Sequence, residues 1–445
     1  MKRKIYDELL KWKNNNNKKP LLVLGVRQCG KTYIIEEFCK NEFKNFYTLN
    51  LFKRRDVVDL YEKSINSDEK YKLLKSIIDF DFDEPNTILF IDEIQESESL
   101  ISDLKYYCEE HNNVNIICAG SLLGVKLKRL SKSFPVGKVR MINMYPMDFE
   151  EYLIANNQMM MLDYIKECFK ENKSMSSLHD KALYYYRNYL ITGGMPESVK
   201  NMIEIDNDYI NYDKNIISDI LDSYFKDMKK YVKSPNETLK IKRLYDSLPG
   251  QLSNTSHKFQ YSKIGKNIKS RDYEVPLDWL LSSNMVLKVN SVTCPEIPLK
   301  GFENVDTFKL FLSDIGILNS LLNININTIL NDEIKIYKGV IAENYVANQL
   351  IASNLPIFYW KSNDDAEVDF LITTYNDGVI PIEVKSSENT QSKSLKVYNE
   401  LYNPKYMIRI STKDFGYDLN TKIKSIPLYA TFLIKTLCDE KYNNK

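Results

Sequence analysis

The sequence predicts an α/β chain built from several modules, and three observations carry that prediction. A short apolar run, PLLVL, leads directly into Gly25-Val26-Arg27-Gln28-Cys29-Gly30-Lys31-Thr32 and then into the helical pattern TYIIEEFCK. A second apolar run, TILFI, ends in the acidic pair Asp92-Glu93. Near the C-terminus, two strand-like runs carry Asp369 and then Glu383-Val384-Lys385. Continuous apolar runs that alternate with helical periodicity are the pattern of buried parallel strands with crossover helices.

The 445 residues correspond to roughly three domains at about 150 residues each. With 43% hydrophobic and 27% charged residues, wholesale disorder is excluded. The net charge is +1, so any attraction to nucleic acid or to an anionic membrane must come from a local patch. No apolar run approaches the ~20 residues of a membrane span, and MKRKIYDELLKWK lacks the apolar core of a signal peptide. Seven cysteines without a C-x-x-C pair support neither a disulfide framework nor a zinc ribbon. His111, His179 and His257 lie far apart in sequence, which disfavours a His-rich metal site and His-based acid–base chemistry. The expectation is a cytoplasmic protein with no membrane segment.

Taken in order, Ile5, Leu9 and Trp12 have the spacing of a short amphipathic helix, broken by Asn14 to Asn17. The string that follows PLLVL is G-x-x-x-x-G-K-[ST]. Its glycines let backbone N–H groups curl around an anion with no Cβ in the way. Lys31 supplies a point cation for β- and γ-phosphates, Thr32 a hydroxyl for Mg²⁺, and the following helix a positive N-terminus. Gly25 to Thr32 is therefore the expected nucleotide-binding segment. About sixty residues on, Asp92 is placed to hold the Mg²⁺ hydration shell and Glu93 to polarise the attacking water. A third strand, VNIICAGS, ends in Ser121, which is placed to sense the γ-phosphate or orient the water. Beyond it, Lys126, Lys128, Arg129, Lys138 and Arg140 are the candidates for an arginine finger, with VRMINMY read as a strand.

These signals, in this order, resemble the AAA+ ATPases. They are similar in particular to prokaryotic ATPases that join an AAA-like N-terminal domain to a C-terminal domain of unknown function. The matching strings are LLVLGVRQCGKT, ILFIDEIQ, AGSLLG, YPMDFEEYL, YLITGGMPESV, FKLFLSDIGIL and EVDFLI…IEVKS. The resemblance implies a P-loop NTPase parallel sheet, ATP and Mg²⁺ as ligands, and a homo-oligomer. Many relatives carry Gly-Arg where this chain has Gly137-Lys138, and a lysine lacks the bidentate fork of arginine. The expected organisation is an ATPase core over 1–150, a helical lid over 151–235, a winged-helix-like module over 236–300 and a nuclease-like domain over 301–445.

Residues 148–235 read as helical. Further on, SKIGKNI and RDYEVPLDWLLSSNM read as a helix-turn-helix pair, with VLKVNSVT as the first strand of a wing. Between Lys226 and Asp272 twelve basic residues face four acidic ones, a local net charge of +8 and a candidate footprint for DNA. In the last third, GVIAENYVANQLIA is a helix carrying Glu343 and Asn344; IFYWKS, DDAEVDFLITT and VIPIEVKSS are strands. Asp377-Gly378 is a hairpin signal. Glu383 and Lys385, two apart on a strand, share a face. This constellation resembles the PD-(D/E)XK nuclease fold. The resemblance implies a second Mg²⁺ site from Glu343, Asp369 and Glu383, with Lys385 stabilising charge on the scissile phosphate.

The sequence therefore predicts an ATP-hydrolysing protein coupled to a nuclease-like, DNA-contacting C-terminal part. Two alternatives stand beside it: a Mg²⁺-dependent nuclease gated by ATP binding, and a nucleotide-gated adaptor with little turnover.

Overall fold

The computed structural model describes all residues except 65, 112, 129, 131–132, 233, 254–257, 335–336, 363–365, 387–392 and 440–445. The chain is mixed α/β, and it divides into two compact units. The first holds residues 2–145 with 282–285, and the second holds 146–281 with 286–445. Among the described residues, no helix is long and apolar enough to cross a membrane.

The first unit opens with the helix Ile5–Lys13, which buries Ile5, Leu9 and Trp12 as their spacing predicts. Its sheet consists of β1 (Leu21–Leu24), β2 (Asn45–Asn50), β3 (Thr87–Asp92), β4 (Asn115–Ala119) and β5 (Arg140–Asn143). The spatial order is β2-β3-β4-β1-β5, and every neighbouring pair is parallel. β3 and β4 are buried at every residue, as strands covered on both faces must be. Leu89, Ile91, Ile116 and Cys118 of these strands pack with Leu100 and Leu104 of the helix Glu98–Glu110 in one core. Because all five strands run the same way, the segments leaving β1, β3 and β4 emerge at one edge of the sheet. Ligands of open α/β sheets bind at that edge.

The second unit begins with helices, among them Phe149–Ala155, Met159–Glu171, His179–Thr192, Pro196–Glu204, Asn215–Tyr231 and Pro235–Leu252. An eight-stranded mixed sheet follows: β6 (Val286–Val292), β7 (Glu303–Leu312), β8 (Phe358–Lys361), β9 (Glu367–Thr374), β10 (Gly378–Val384), β11 (Met407–Ser411), β12 (Gly416–Asp418) and β13 (Ile423–Pro427). Its order is β12-β13-β11-β10-β9-β8-β6-β7. The helix Lys338–Ala352, buried from Val340 to Leu350, packs on β7 and β10. The expected hairpin is present, with Gly378 paired to Thr374 across the turn.

The middle of the chain differs from its expectation. SKIGKNI holds only a single 3₁₀ turn, Tyr261–Lys263, because Gly265 and a left-handed Asn267 (φ 61) interrupt any longer helix. The strand expected to open a wing, β6, pairs with β7 on one side and with β8 on the other. It is an internal strand of the large sheet.

Asp314 joins two of the distinctive strings. Its side chain caps the helix Ile315–Leu321 by accepting from the Ile317 N–H at 3.1 Å. Its other oxygen accepts the Gly194 N–H at 2.7 Å, so the glycine pair of YLITGGMPESV is held against SDIGIL. Burial outweighs these backbone bonds and pushes the Asp314 carboxyl up to about 6. The folded pKa lies above the unfolded value of about 3.9. The folded state therefore holds the extra proton between about pH 4 and pH 6, and this group's stabilising contribution falls as pH rises through that window. Asp314→Ala, which removes a cap and strands a buried N–H, should cost about 2–4 kcal/mol at pH 5. The cost should be about 1 kcal/mol smaller at pH 7. Urea unfolding of both proteins at the two pH values measures it, and a cost that does not change with pH contradicts the raised carboxyl.

Candidate functional site

Between Leu24 and Lys31 the main chain must turn back on itself to start the helix Lys31–Glu42 at the edge of the sheet. Gly25 permits this because a Cβ there would lie 2.2 Å from the Met144 carbonyl oxygen. Gly30 permits it because its φ of 92° is open to glycine at no steric cost. Val26 and Cys29 are buried, Arg27 is half-buried and Gln28 is exposed. Lys31 is buried and folds back across the loop, its Nζ donating to Gly25 O at 2.9 Å and Val26 O at 2.8 Å. The first N–H groups of a helix have no partner within it, so an anion at this helix start would meet them.

Arg3 clasps the same loop from outside. It is buried, and its Nη1 donates to Cys29 O at 2.7 Å while Nη2 donates to Tyr145 O at 2.7 Å. Sequence reasoning missed it, since one arginine ahead of an amphipathic helix has no local signature.

The structure brings the expected partners of the loop to the same edge. Thr32 Oγ1 donates to Asp92 Oδ2 at 3.2 Å, across 60 residues of sequence. Asn50, at the end of β2 and opposite Asp92 in register, donates from Nδ2 to the same oxygen at 2.9 Å. Asn50 is a second residue that the sequence did not reveal. Burial, and then the neighbouring charge of Glu93, raise the Asp92 carboxyl against these two bonds. Glu93 lies just past β3 with a left-handed backbone (φ 55), a conformation costing about 1–3 kcal/mol for such a residue. The Gln95 Nε2 donates to Glu93 Oε2 and fixes the carboxylate. Ser121 is buried two residues beyond β4, whose Ala119 is in register with Asp92.

Three of the five basic candidates are paired within their own unit. Lys126 pairs with Glu98 at 2.6 Å, Lys138 with Glu109 at 2.9 Å and Arg140 with Glu8 at 3.7 Å. Lys128 lies on the helix Leu123–Lys128, and Arg129 lies outside the described residues.

In the large sheet, Glu343, Asp369, Glu383 and Lys385 form one cluster. Lys385 Nζ is 2.6 Å from Glu383 Oε1, and the Val384 N–H donates to Asp369 Oδ2 at 2.7 Å. Burial first, then the negative charges of Glu383 and Glu343, push the Asp369 carboxyl well above the usual range. Two members were not foreseen, Lys309 of β7 and Glu367 of β9. Lys309 Nζ lies 2.8 Å from Glu343 Oε1 and 2.6 Å from Glu367 Oε1. Burial disfavours its charge, but Glu343, Glu367 and Asp369 together raise its pKa. Among the described residues, no three His, Cys, Asp or Glu side chains are arranged to hold a metal ion. Of the residues expected to form a second Mg²⁺ site, Glu343 and Glu383 are paired with lysines and Asp369 accepts the Val384 N–H.

Comparison with known proteins agrees with the first-unit geometry. Residues 17–153 match an AAA domain. The first unit has the fold of a P-loop ATPase. Residues 183–328 match a domain of unknown function (DUF8612), and 338–430 match another (DUF4143). No curated protein matches the chain. Similar solved structures include the Walker-type ATPase PABY2304 of Pyrococcus abyssi, at 15% identity, covering 71% of this chain and 94% of that one, with a TM-score of 0.42. The Aeropyrum pernix ORC2 protein in its ADPNP–ADP complexes is 13% identical over 74% of this chain and 92% of that one, with a TM-score of 0.35. The Aeropyrum pernix ORC1 protein in complex with DNA is 12% identical over 75% and 93%, with a TM-score of 0.27.

Gly25→Ala tests the cradle. The added methyl cannot coexist with the Met144 carbonyl, so the loop should open. Affinity for a fluorescent ATP analogue should fall at least tenfold, and the urea midpoint should fall with it, because the atom met is main chain. Unchanged affinity would show that the close approach does not shape the site.

Proposed function

We propose that this chain binds and hydrolyses ATP in the manner of an AAA+ ATPase, and that hydrolysis drives its helical and C-terminal parts. The observation that carries this reading is the 3.2 Å contact between Thr32 of the phosphate loop and Asp92 at the end of β3. It joins the two halves of a nucleotide site that lie sixty residues apart. Thr32 and Asp92 would hold Mg²⁺, which when bound neutralises charge on the β- and γ-phosphates. Lys31, now satisfied by two loop carbonyls, would exchange them for phosphate oxygens, a stronger charge-assisted bond. Asn50 orients the Asp92 carboxylate. Glu93 accepts a proton from the attacking water as it aligns on the γ-phosphate, with its carboxylate steered by Gln95. Ser121, from the turn that follows β4, senses the terminal phosphate.

Nucleic acid is the proposed second ligand, and a local feature supports it. A cavity of about 680 Å³ in the second unit is lined by Lys240, Arg243 and Lys266, with Asp246 and Asp272 beside them, within the stretch of net charge +8. These cations suit a phosphate backbone. Self-association and a cytoplasmic location complete the reading.

Glu93→Gln should bind ATP as tightly as the natural protein and lower kcat by at least a hundredfold, as expected when a general base is removed. Steady-state phosphate release, with and without DNA, measures it. Turnover at the natural rate contradicts the assignment of Glu93. Turnover that is already negligible in the natural protein favours the nucleotide-gated adaptor.

A further inference from the structure

The carboxylate cluster of the large sheet carries its own cations. Lys309 is fully buried, and two carboxylates meet its ammonium. Glu343 and Glu367 take it at 2.8 and 2.6 Å, Asp369 Oδ1 stands 3.8 Å away, and the Tyr359 ring centroid lies 5.0 Å away. A buried ammonium is expensive unless it is paired and hydrogen-bonded. Here two carboxylates meet it at hydrogen-bond distance, so its position is well determined. The fold fixes it from three directions: Lys309 comes from β7, Glu343 from the helix packed on that strand, and Glu367 and Asp369 from β9.

One oxygen of each carboxylate that a divalent ion would need is thus already engaged. Glu343 Oε1 is bonded to Lys309, Asp369 Oδ2 to the Val384 N–H, and Glu383 Oε1 to Lys385 at 2.6 Å. Mg²⁺ demands a near-octahedral set of oxygens at about 2.0–2.1 Å and gives up its water reluctantly. To enter, it would have to share Glu343 with a fully buried ammonium, and the repulsion between the two cations would be felt with little water to screen it. The residues do not fit a resident divalent ion.

We propose that Lys309 is the built-in counter-ion of this cluster, and that the C-terminal part takes no Mg²⁺ and cleaves no phosphodiester. The ATPase reading plays no part in this inference. If it holds, the nuclease alternative falls, and the DNA-contacting role is left to surfaces other than this cluster.

Mn²⁺ binding to the nucleotide-free full-length chain, followed by electron paramagnetic resonance, tests it. The natural protein and Asp369→Asn should bind Mn²⁺ identically, since neither holds an ion at the cluster. Lys309→Ala leaves Glu343, Glu367 and Asp369 without their cation and should gain a site at least tenfold tighter than any in the natural protein. That new site should be lost again in the Lys309→Ala, Asp369→Asn double variant. A Mn²⁺ site in the natural protein that Asp369→Asn abolishes overturns the proposal. So does a folded Lys309→Ala that gains no site. Should Lys309→Ala not fold, the comparison of the natural protein with Asp369→Asn decides alone. DNA or RNA cleavage with Mn²⁺ that disappears in Asp369→Asn would also overturn it.

Discussion

The return of the main chain between β1 and the helix that follows it is the constraint on which the first unit depends. Three groups hold that turn from different sides. The Met144 carbonyl leaves no room for a side chain at residue 25, the Lys31 ammonium binds the loop's own carbonyls, and Arg3 grips Cys29 O. The first fixes the path of the chain, the second keeps a cation waiting where phosphate would go, and the third ties the loop to the N-terminal helix. Sheet order then does the rest. With β4 between β1 and β3, the loop, the acidic pair and Ser121 leave from the same edge. Their convergence is a consequence of parallel strands, not of any local contact.

Much of this was legible in the sequence, for a definite reason. A phosphate loop needs glycines, a lysine and a hydroxyl at fixed offsets, and a buried parallel strand needs an unbroken apolar run. Both are local patterns, so Gly25 to Thr32, Asp92 and Glu93 could be picked out with no knowledge of the fold. Asn50, Gln95 and Arg3 could not. Asn50 reaches Asp92 only through the register of β2 against β3, and Arg3 reaches Cys29 across 26 residues. Pairing across strands leaves no periodic trace in one sequence.

The second unit shows the opposite balance. Its helices were readable from periodicity, and Glu343, Asp369, Glu383 and Lys385 were readable as an ordered set. What the set does was not. Nothing in the string FKLFL says what meets its lysine, and Lys309 is buried among carboxylates contributed from elsewhere in the chain. The middle segment misled for a related reason. VLKVNSVT has the composition of any strand, and only its pairing with both β7 and β8 shows that it lies inside a sheet instead of at the start of a small wing. Fold and partner choice over long range decide such cases.

Titration calorimetry of the full-length chain with ATP and Mg²⁺, compared with Lys31→Ala, tests the central claim most directly. The account predicts one saturable site per chain in the natural protein. Loss of the Lys31 charge should weaken it by at least tenfold, as expected from bonds worth about 1.5–3 kcal/mol each. No heat at millimolar ATP, or equal affinity in the two proteins, would contradict it.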